Sequence, residues 1–143
     1  MPGNQTLAII KPDAVGGGKL GAILAHLERD GYRILAAKLV RLSRAEAEAF
    51  YEVHRGRPFF EELVQFMSSG PCLPLALQRD DAVAAYRKTI GATDPAEAAA
   101  GTIRKLFAES KGRNAVHGSD SDENAAREIA FFFSERERAG LWG

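Results

Sequence analysis

The stretch TLAIIKPDAVGGGKLGAILAHLERDGYRILAAKLVRL, residues 6–42, has the pattern of a strand, a helix and a second strand. Residues 6–10 form a short, branched apolar run, which predicts a buried strand. Four apolar residues then recur at the spacing of one helix face: Leu20, Ile23, Leu24 and Leu27. Gly31 is a natural end for that helix. The segment 32–42 alternates weakly between apolar and polar residues and predicts the second strand.

Further helices and a third strand follow from local signals after residue 42. Ser43 and Glu46 have the spacing of a capping box, which predicts the start of a helix. Pro58 suits the first turn of another helix. The segment 72–78 has the composition of a strand, in which Pro74 predicts a bulge or an edge position.

The last part of the chain adds a strand between two helices. Residues 80–90 have a helical pattern, and a loop with short helical pieces covers 92–113. The sequence NAVH, 114–117, predicts a short last strand. Ser121 is a suitable cap for a final helix that runs to about Phe133.

This order of elements predicts an α+β fold. It matches a ferredoxin-like βαββαβ sandwich, in which a four-stranded antiparallel sheet is covered by helices. A small doubly wound parallel sheet is the alternative. The length of 143 residues favours a single domain over 1–143.

Composition narrows the classes of function. Nineteen basic residues balance nineteen acidic ones, so net charge does not call for nucleic acid or an anionic membrane surface. No apolar run approaches the roughly 20 residues of a membrane span, and the N-terminus lacks a signal-peptide pattern. We therefore expect a cytoplasmic protein. The single cysteine, Cys72, lies in an apolar run and predicts a buried side chain rather than a reactive thiol.

The glycine-rich segment GGGKLG, 16–21, resembles a dinucleotide-binding fingerprint. The rest of that motif is missing, because the end of the second predicted strand carries Lys38 and Arg41 where an acidic residue should hold the ribose. Lys19 is also followed by Leu20 instead of the Ser or Thr of a phosphate-binding loop. We interpret the glycines as a flexible connection between strand and helix.

His117 stands out, because it lies among small and hydrogen-bonding residues in GRNAVHGSDS, 112–121. A lone histidine is most often structural or merely exposed. Here Gly118 and Ser119 leave room beside the ring, and neutral imidazole is a good nucleophile near pH 7. This combination suits attack on a phosphoryl group.

Two other side chains depart from a purely structural pattern. Glu128 lies beside the apolar stripe of the last helix, where a carboxylate needs a partner. One candidate partner of the Glu128 carboxylate is a histidine N–H, and that bond would fix the imidazole tautomer. The alternative is a salt bridge to a lysine or arginine at the surface. Phe59 lies about 100° from Phe60 on the helical wheel. It is either extra core or a face on which a base can stack.

Three cations lie next to predicted turns: Lys11, Arg87 and Arg104. Each alone is most simply a solvated charge. If they converge on one site they form a phosphate clamp, because phosphoryl transfer relies on positioning and charge stabilisation.

Together these segments resemble the nucleoside diphosphate kinase family over about the whole chain. NAVHGSDS closely resembles the active-site signature of that family, and TLAIIKPDAV resembles its first strand and turn. Further blocks resemble the family in its order and spacing: RPFF at 57–60, SGP at 69–71, GATDP at 91–95 and GTIR at 101–104.

The resemblance implies an enzyme that moves the γ-phosphate of a nucleoside triphosphate, typically ATP, to a nucleoside diphosphate through a phosphohistidine at His117. It also implies supporting residues around the imidazole, which are Tyr51, Glu128 and Ser119. Phosphates would be held by Lys11, Arg87, Thr93 and Arg104. Asn114 would lie near the sugar and phosphates, and Phe59 would stack on the base.

The resemblance further implies that Mg²⁺ bridges phosphates and has no ligands from the protein. A homo-oligomer, tetramer or hexamer, is expected. Lys105, Leu106 and Lys111 depart from the usual family pattern, and the tail SERERAGLWG, 134–143, matches no family pattern.

Two other classes of function compete with the enzyme. A catalytically silent relative would bind nucleotides or partner proteins as a scaffold, but all the matching site positions are filled. A nucleic-acid-binding protein would show a steep salt dependence of binding, and the balanced charge argues against it as the main function.

Overall fold

The computed structural model describes residues 3–139. The four strands in that range are β1 (Gln5–Ile10), β2 (Arg33–Ala37), β3 (Leu73–Gln78) and β4 (Val116–Gly118). The α-helices are α1 (Pro12–Gly16), α2 (Leu20–Arg29), α3 (Arg44–Phe50), α4 (Phe60–Met67), α5 (Ala82–Ile90), α6 (Ile103–Phe107), α7 (Asp122–Phe132) and α8 (Glu135–Arg138). A short 3-10 helix covers Glu52–His54.

The strands form one sheet in the order β2-β3-β1-β4, and every neighbouring pair is antiparallel. This confirms the predicted ferredoxin-like α+β fold and excludes the doubly wound parallel sheet. The crossing connections place β1 and β4, which are far apart in sequence, side by side. As a result His117 lies directly opposite Ile9.

The sheet is covered on both faces, which explains the unbroken apolar run of β1. Leu7 and Ile9 pack on one face against side chains of α3, α4 and α7. Ala8 and Ile10 pack on the other face against side chains of α2, α5 and α6. All four are fully buried, as expected when successive strand residues point to opposite faces of a covered sheet.

Predicted helix signals are largely confirmed. Ser43 and Glu46 form the reciprocal capping box of α3, and Ser121 accepts a hydrogen bond from the backbone of Asn124 at the start of α7. The prediction for Pro58 is wrong, because it lies in a turn just before α4. That turn is closed by a bond from the Phe60 N–H to the Arg57 carbonyl at 3.1 Å.

The glycine-rich connection contains more structure than predicted. Gly16 ends α1, a helix that begins with Pro12, whose fixed φ suits a first helical position. Only Gly17, Gly18 and Lys19 then separate α1 from α2.

The second and third strands also differ from expectation. β2 ends at Ala37, after an irregularity between Ile34 and Ala36. Pro74 is not at an edge, since β3 lies between β2 and β1. The β2–β3 ladder ends at Leu75, so the N–H that proline lacks is not needed for that ladder at position 74. The Pro74 carbonyl still accepts a hydrogen bond from the Lys38 N–H at 3.3 Å.

Three remaining expectations can be compared with this architecture. Cys72 is fully buried, and burial raises the pKa of its thiol to about 11. None of the helices between residues 3 and 139 combines the length and apolarity of a membrane-spanning helix. The tail begins with a capping box, between Ser134 and Glu137, that starts α8; residues 140–143 lie outside the described part.

Candidate active site

A pocket of about 510 Å³ opens beside β4. Its lining residues are Lys11, Arg87, Lys88, Ile90, Gly91, Ala92, Thr93, Ala99, Thr102, Arg104, His117 and Gly118. Five of the sequence-predicted site residues are among them: Lys11, Arg87, Thr93, Arg104 and His117. The lining contains four basic side chains and no acidic one, so the pocket favours an anion.

The imidazole of His117 is fixed by a carboxylate. Its Nε2 lies 2.9 Å from Glu128 Oε1, and Ser119 Oγ donates to the same oxygen at 2.7 Å. A carboxylate only accepts hydrogen bonds, so Nε2 carries the proton and Nδ1 keeps its lone pair. Both partners are largely buried, with side chains 15% and 12% exposed. Glu128 therefore bonds a histidine, not a surface cation.

Two aromatic rings pack around this imidazole. The ring centroids of Phe50 and Tyr51 lie 5.4 Å and 6.2 Å from that of His117, both in edge arrangements. The Tyr51 hydroxyl is buried without a hydrogen-bond partner, and burial raises its pKa. Arg127 ties the end of α3 to α7 by donating to the carbonyls of Ala49 and Phe50, at 3.1 Å and 3.4 Å.

Sequence reasoning missed Phe50 and Arg127. No local pattern distinguishes Phe50 from the other apolar residues near it, or Arg127 from the other cations of the chain. The contacts of both depend on how α3 meets α7, and no local spacing reports that packing.

Phe59 does not line the pocket, but rings connect it to the imidazole. His54 lies between Phe59 and Tyr51, with centroid distances of 5.2 Å and 6.3 Å. Phe59 is 46% exposed, so it is not part of the core. Its ring is accessible for stacking on a planar group.

Lys11 is a buried cation. It is 7% exposed, and its Nζ donates to Asn114 Oδ1 at 2.9 Å. Burial lowers the pKa of Lys11 from its ordinary 10.5 to about 8, with Arg104 lowering it further and Asp13 opposing the change. Asn114 in turn donates from Nδ2 to the Lys111 carbonyl at 3.0 Å. Asn114 therefore joins Lys11 to the loop that precedes β4.

Arg104 has a second task that the sequence did not indicate. Its guanidinium donates to three backbone carbonyls, those of Gly91, Asn114 and Val116, at 3.1 Å, 3.3 Å and 2.8 Å. Burial lowers its pKa, but a guanidinium stays charged. Arg104 thus holds the walls of the pocket together and still brings a positive charge to it.

The backbone just before His117 is strained. Ala115 has φ of 73°, and the Val116 N–H bonds the Asn114 carbonyl at 2.9 Å. These are the features of a γ-turn with positive φ, which is rare and unfavourable for a non-glycine residue. Two buried bonds hold it: Lys11 N–H to the Ala115 carbonyl at 2.8 Å, and Ala115 N–H to Asp13 Oδ2 at 3.0 Å. Asp13 was not among the predicted site residues.

Two glycines allow close approach at the pocket. A Cβ on Gly118 would lie 2.9 Å from the ring of Tyr86, so only glycine fits against α5 at this position. Gly91 has φ of 84°, and a Cβ there would lie 2.6 Å from Thr102 Oγ1.

The three departures from the family pattern lie on the surface. Lys105, Leu106 and Lys111 are exposed, Leu106 by 55%. Lys105 and Leu106 belong to α6, which keeps its cap through Thr102 Oγ1. These substitutions therefore leave the local fold of α6 intact.

Comparisons with known proteins identify one family. The nucleoside diphosphate kinase family profile matches residues 4–138. A nucleoside diphosphate kinase of Sorangium cellulosum is 61% identical over 135 residues, covering 94% of each chain. One from Chlorobium chlorochromatii is 58% identical over 133 residues, covering 93% of this chain and 95% of the relative.

Solved structures give the same result. The nucleoside diphosphate kinase of Aquifex aeolicus has a TM-score of 0.93 at 47% identity, covering 95% of this chain and 99% of its own. That of Halobacterium salinarum, solved in complex with CDP, has a TM-score of 0.90 at 37% identity, covering 96% and 91%. The chain therefore belongs to the nucleoside diphosphate kinase family, whose members are phosphotransferases that act on nucleotides.

Proposed function

We propose that this kinase works by a two-step shuttle in which Nδ1 of His117 carries the phosphoryl group. The observation that carries the proposal is the 2.9 Å contact between His117 Nε2 and Glu128 Oε1, because it leaves Nδ1 as the nucleophilic nitrogen. The imidazole belongs to a pocket whose charged side chains are all basic.

In the first step Nδ1 attacks the γ-phosphorus of a nucleoside triphosphate such as ATP. The N–P bond forms as the bond from that phosphorus to the β,γ-bridging oxygen breaks, and the nucleoside diphosphate leaves with the electron pair. The imidazole gains positive charge during attack. The Glu128 carboxylate stabilises that charge through the Nε2–H bond, and Ser119 orients the carboxylate.

In the second step the roles reverse. A terminal phosphate oxygen of another nucleoside diphosphate attacks the phosphohistidine, the N–P bond breaks, and its electrons return to Nδ1. The histidine is regenerated with its proton still on Nε2. The same groups serve both directions, which suits a ping-pong exchange between chemically similar substrates.

Charge around the pocket supports binding of the phosphates. Lys11, Arg87 and Arg104 would neutralise phosphate oxygens, and the Thr93 hydroxyl would donate to one of them. Asn114 would act near the sugar and phosphates, where its bond to Lys11 supports a shared position. The Phe59 ring, 46% exposed, would stack on the base without reading its identity.

Magnesium is proposed as the cofactor, bound through the nucleotide. Residues 3–139 contain no group of three or more His, Cys, Asp or Glu side chains arranged to hold a metal ion. Phosphate oxygens are the ligands that Mg²⁺ commonly takes in kinases. When bound it would neutralise phosphate charge, while the basic side chains of this chain orient the same phosphates.

The wider setting is also proposed. We expect residues 1–143 to act as a single domain, in a homo-oligomer that is a tetramer or a hexamer, with nucleoside di- and triphosphates as small-molecule partners. A cytoplasmic location would give it access to the main pool of ATP. Light scattering on the purified protein distinguishes the two oligomers.

Intact mass tests the shuttle. The protein is mixed with ATP and Mg²⁺ and freed of nucleotide; we expect a gain of one phosphoryl group that is labile to acid and removed by GDP or CDP. Peptide mapping should place it on His117 and not on His26 or His54. His117→Ala should gain nothing while keeping the circular dichroism of the wild type. A wild-type protein that binds ATP but gains no phosphate would refute the shuttle and favour a nucleotide-binding scaffold.

A further inference from the structure

Asp13 is a buried carboxylate that has no role in the two-step shuttle described above. It lies in α1 and is 6% exposed. Its Oδ2 accepts from the backbone N–H of Ala115, 102 residues away, whereas its Oδ1 is buried with no hydrogen-bond partner. A buried carboxylate with one unpaired oxygen is costly. A structural role at the start of a five-residue helix does not require this arrangement.

The bond from Asp13 reaches a strained residue beside the site. Ala115 has φ of 73°. Arg104 donates to the carbonyls on either side of it, and Lys11 N–H donates to its own carbonyl. The Asp13 carboxylate takes the remaining polar group, the Ala115 N–H. These contacts together oppose rotation of Ala115 to the favoured negative φ.

Rotation at Ala115 would separate the two halves of the site. On its N-terminal side is Asn114, the hydrogen-bond partner of Lys11. On its C-terminal side the chain continues through Val116 to His117, which bonds Glu128. The conformation of Ala115 therefore sets the position of the Lys11–Asn114 pair relative to the imidazole.

We propose that Asp13 is a positioning residue for phosphoryl transfer, which holds Ala115 in the left-handed conformation and thereby aligns the Lys11–Asn114 pair with His117. This inference rests on the proposed role of His117 as the phosphate carrier. It assigns to Asp13 no contact with the substrate.

The charge of Asp13 has a separate consequence. Lys11 is faced by Arg104 from α6, by Arg87 and Lys88 of α5 across the pocket, and by His117 of β4. Asp13 is the acidic group that raises the pKa of Lys11 against burial and Arg104. Asparagine at position 13 would keep an acceptor for Ala115 and lose the charge, so the two effects can be separated.

The experiment measures phosphoenzyme formation from MgATP in a single turnover, with the full chain, over a range of ATP concentrations. Asp13→Ala should lower the saturating rate constant by roughly 100-fold, the effect of about 1 Å of misplacement, with a smaller change in ATP affinity. Asp122→Ala is the matched control. Asp122 also accepts a bond from a distant backbone N–H, that of Gly3 at 2.9 Å, but it lies outside the pocket, and its variant should phosphorylate as the wild type does.

Rescue distinguishes positioning from a general loss of structure. Glycine adopts positive φ without strain, so Asp13→Ala should cost much less in an Ala115→Gly background. An equal cost in both backgrounds, or none in either, would overturn the proposal. The proposal would also be overturned if Asp13→Ala were less stable than the wild type but its folded protein were phosphorylated with a normal rate constant.

Asp13→Asn keeps the inference testable if Asp13→Ala does not fold. Its saturating rate constant at pH 6.5 should stay within about threefold of the wild type, because the acceptor remains. The alkaline fall of ATP affinity should begin at lower pH, because Lys11 loses its proton earlier. A saturating rate constant reduced more than threefold would refute the positioning role, whereas an unmoved alkaline limb would refute only the effect of the Asp13 charge on Lys11. If the wild type forms no phosphoenzyme, the proposed shuttle itself fails, which is a distinct outcome.

Discussion

Lys11 should lower the stability of the folded protein at neutral pH. Its pKa is about 8 in the folded protein and 10.5 ordinarily. At about 1.4 kcal/mol for each pKa unit, this difference corresponds to roughly 3 kcal/mol of unfavourable free energy for the charged form. Lys11→Met removes the charge at similar length. It also leaves Asn114 Oδ1 without its donor, which costs about 1 kcal/mol, so the net gain at pH 7 should be about 2 kcal/mol.

The sign and the pH window follow from the two pKa values. Below pH 8 both the folded and the unfolded chain hold the proton, so the full cost of the buried charge is present. Between pH 8 and 10.5 the folded protein releases the proton while the unfolded chain keeps it, and the wild type gains stability. The advantage of Lys11→Met should therefore be largest below pH 8 and shrink towards pH 10.5.

Urea unfolding at one fixed protein concentration, repeated from pH 6.5 to 10.5, measures this difference. Lys105→Met makes the same chemical change at an exposed position, and its stability relative to the wild type should not vary over that pH range. Lys11→Met should also bind ATP much more weakly. A Lys11→Met protein that is less stable than the wild type at pH 7, or a stability difference that does not change with pH, would refute the reasoning.

Two further predictions concern the groups around the nucleotide. Glu128→Gln should slow phosphorylation of His117 by roughly 10- to 100-fold, the worth of a charge-assisted hydrogen bond. Glu128→Ala should slow it more, since His117 and Ser119 both lose their acceptor. Single-turnover kinetics measure both effects, and wild-type rates in either variant would remove Glu128 from the mechanism. Phe59→Ala should weaken binding of ADP, GDP and CDP alike by about 1–3 kcal/mol in calorimetry, as expected for one stacked base. Leu39→Ala, at another apolar residue that is 60% exposed, is the control. Unchanged affinity in Phe59→Ala would contradict base stacking.

Much of the fold was predictable because its signals are local. The apolar run of β1, the capping box at Ser43 and the cap at Ser121 each lie within a few residues. The errors in the strands came where pairing partners decide the outcome. β2 ends at Ala37 and Pro74 is tolerated in a central strand because of where the β2–β3 ladder stops, and neither segment shows that pairing in its own composition.

The residue types of the candidate site were predictable, but the hydrogen bonds that connect them were not. His117 and Glu128 could be singled out, because an imidazole among small residues and a carboxylate beside an apolar stripe are both unusual. The contact from Asp13 to Ala115 spans 102 residues, and the bonds from Arg104 join α6 to two other segments, at Gly91 and at 114–116. Such contacts depend on the packing of α1 and α6 against β4, which no periodicity in the sequence reports.

Several unfavourable features of this protein lie around one histidine. Lys11 is buried as a cation, Asp13 and Tyr51 each keep an unpaired buried oxygen, and Ala115 has a positive φ. The central sheet must offset these costs, and its core strand β1 is fully buried from Thr6 to Ile10. Such costs persist when they preorganise a site for a ligand. If Lys11 and Arg104 hold phosphate as proposed, the bound phosphate would neutralise both charges and so offset part of these costs.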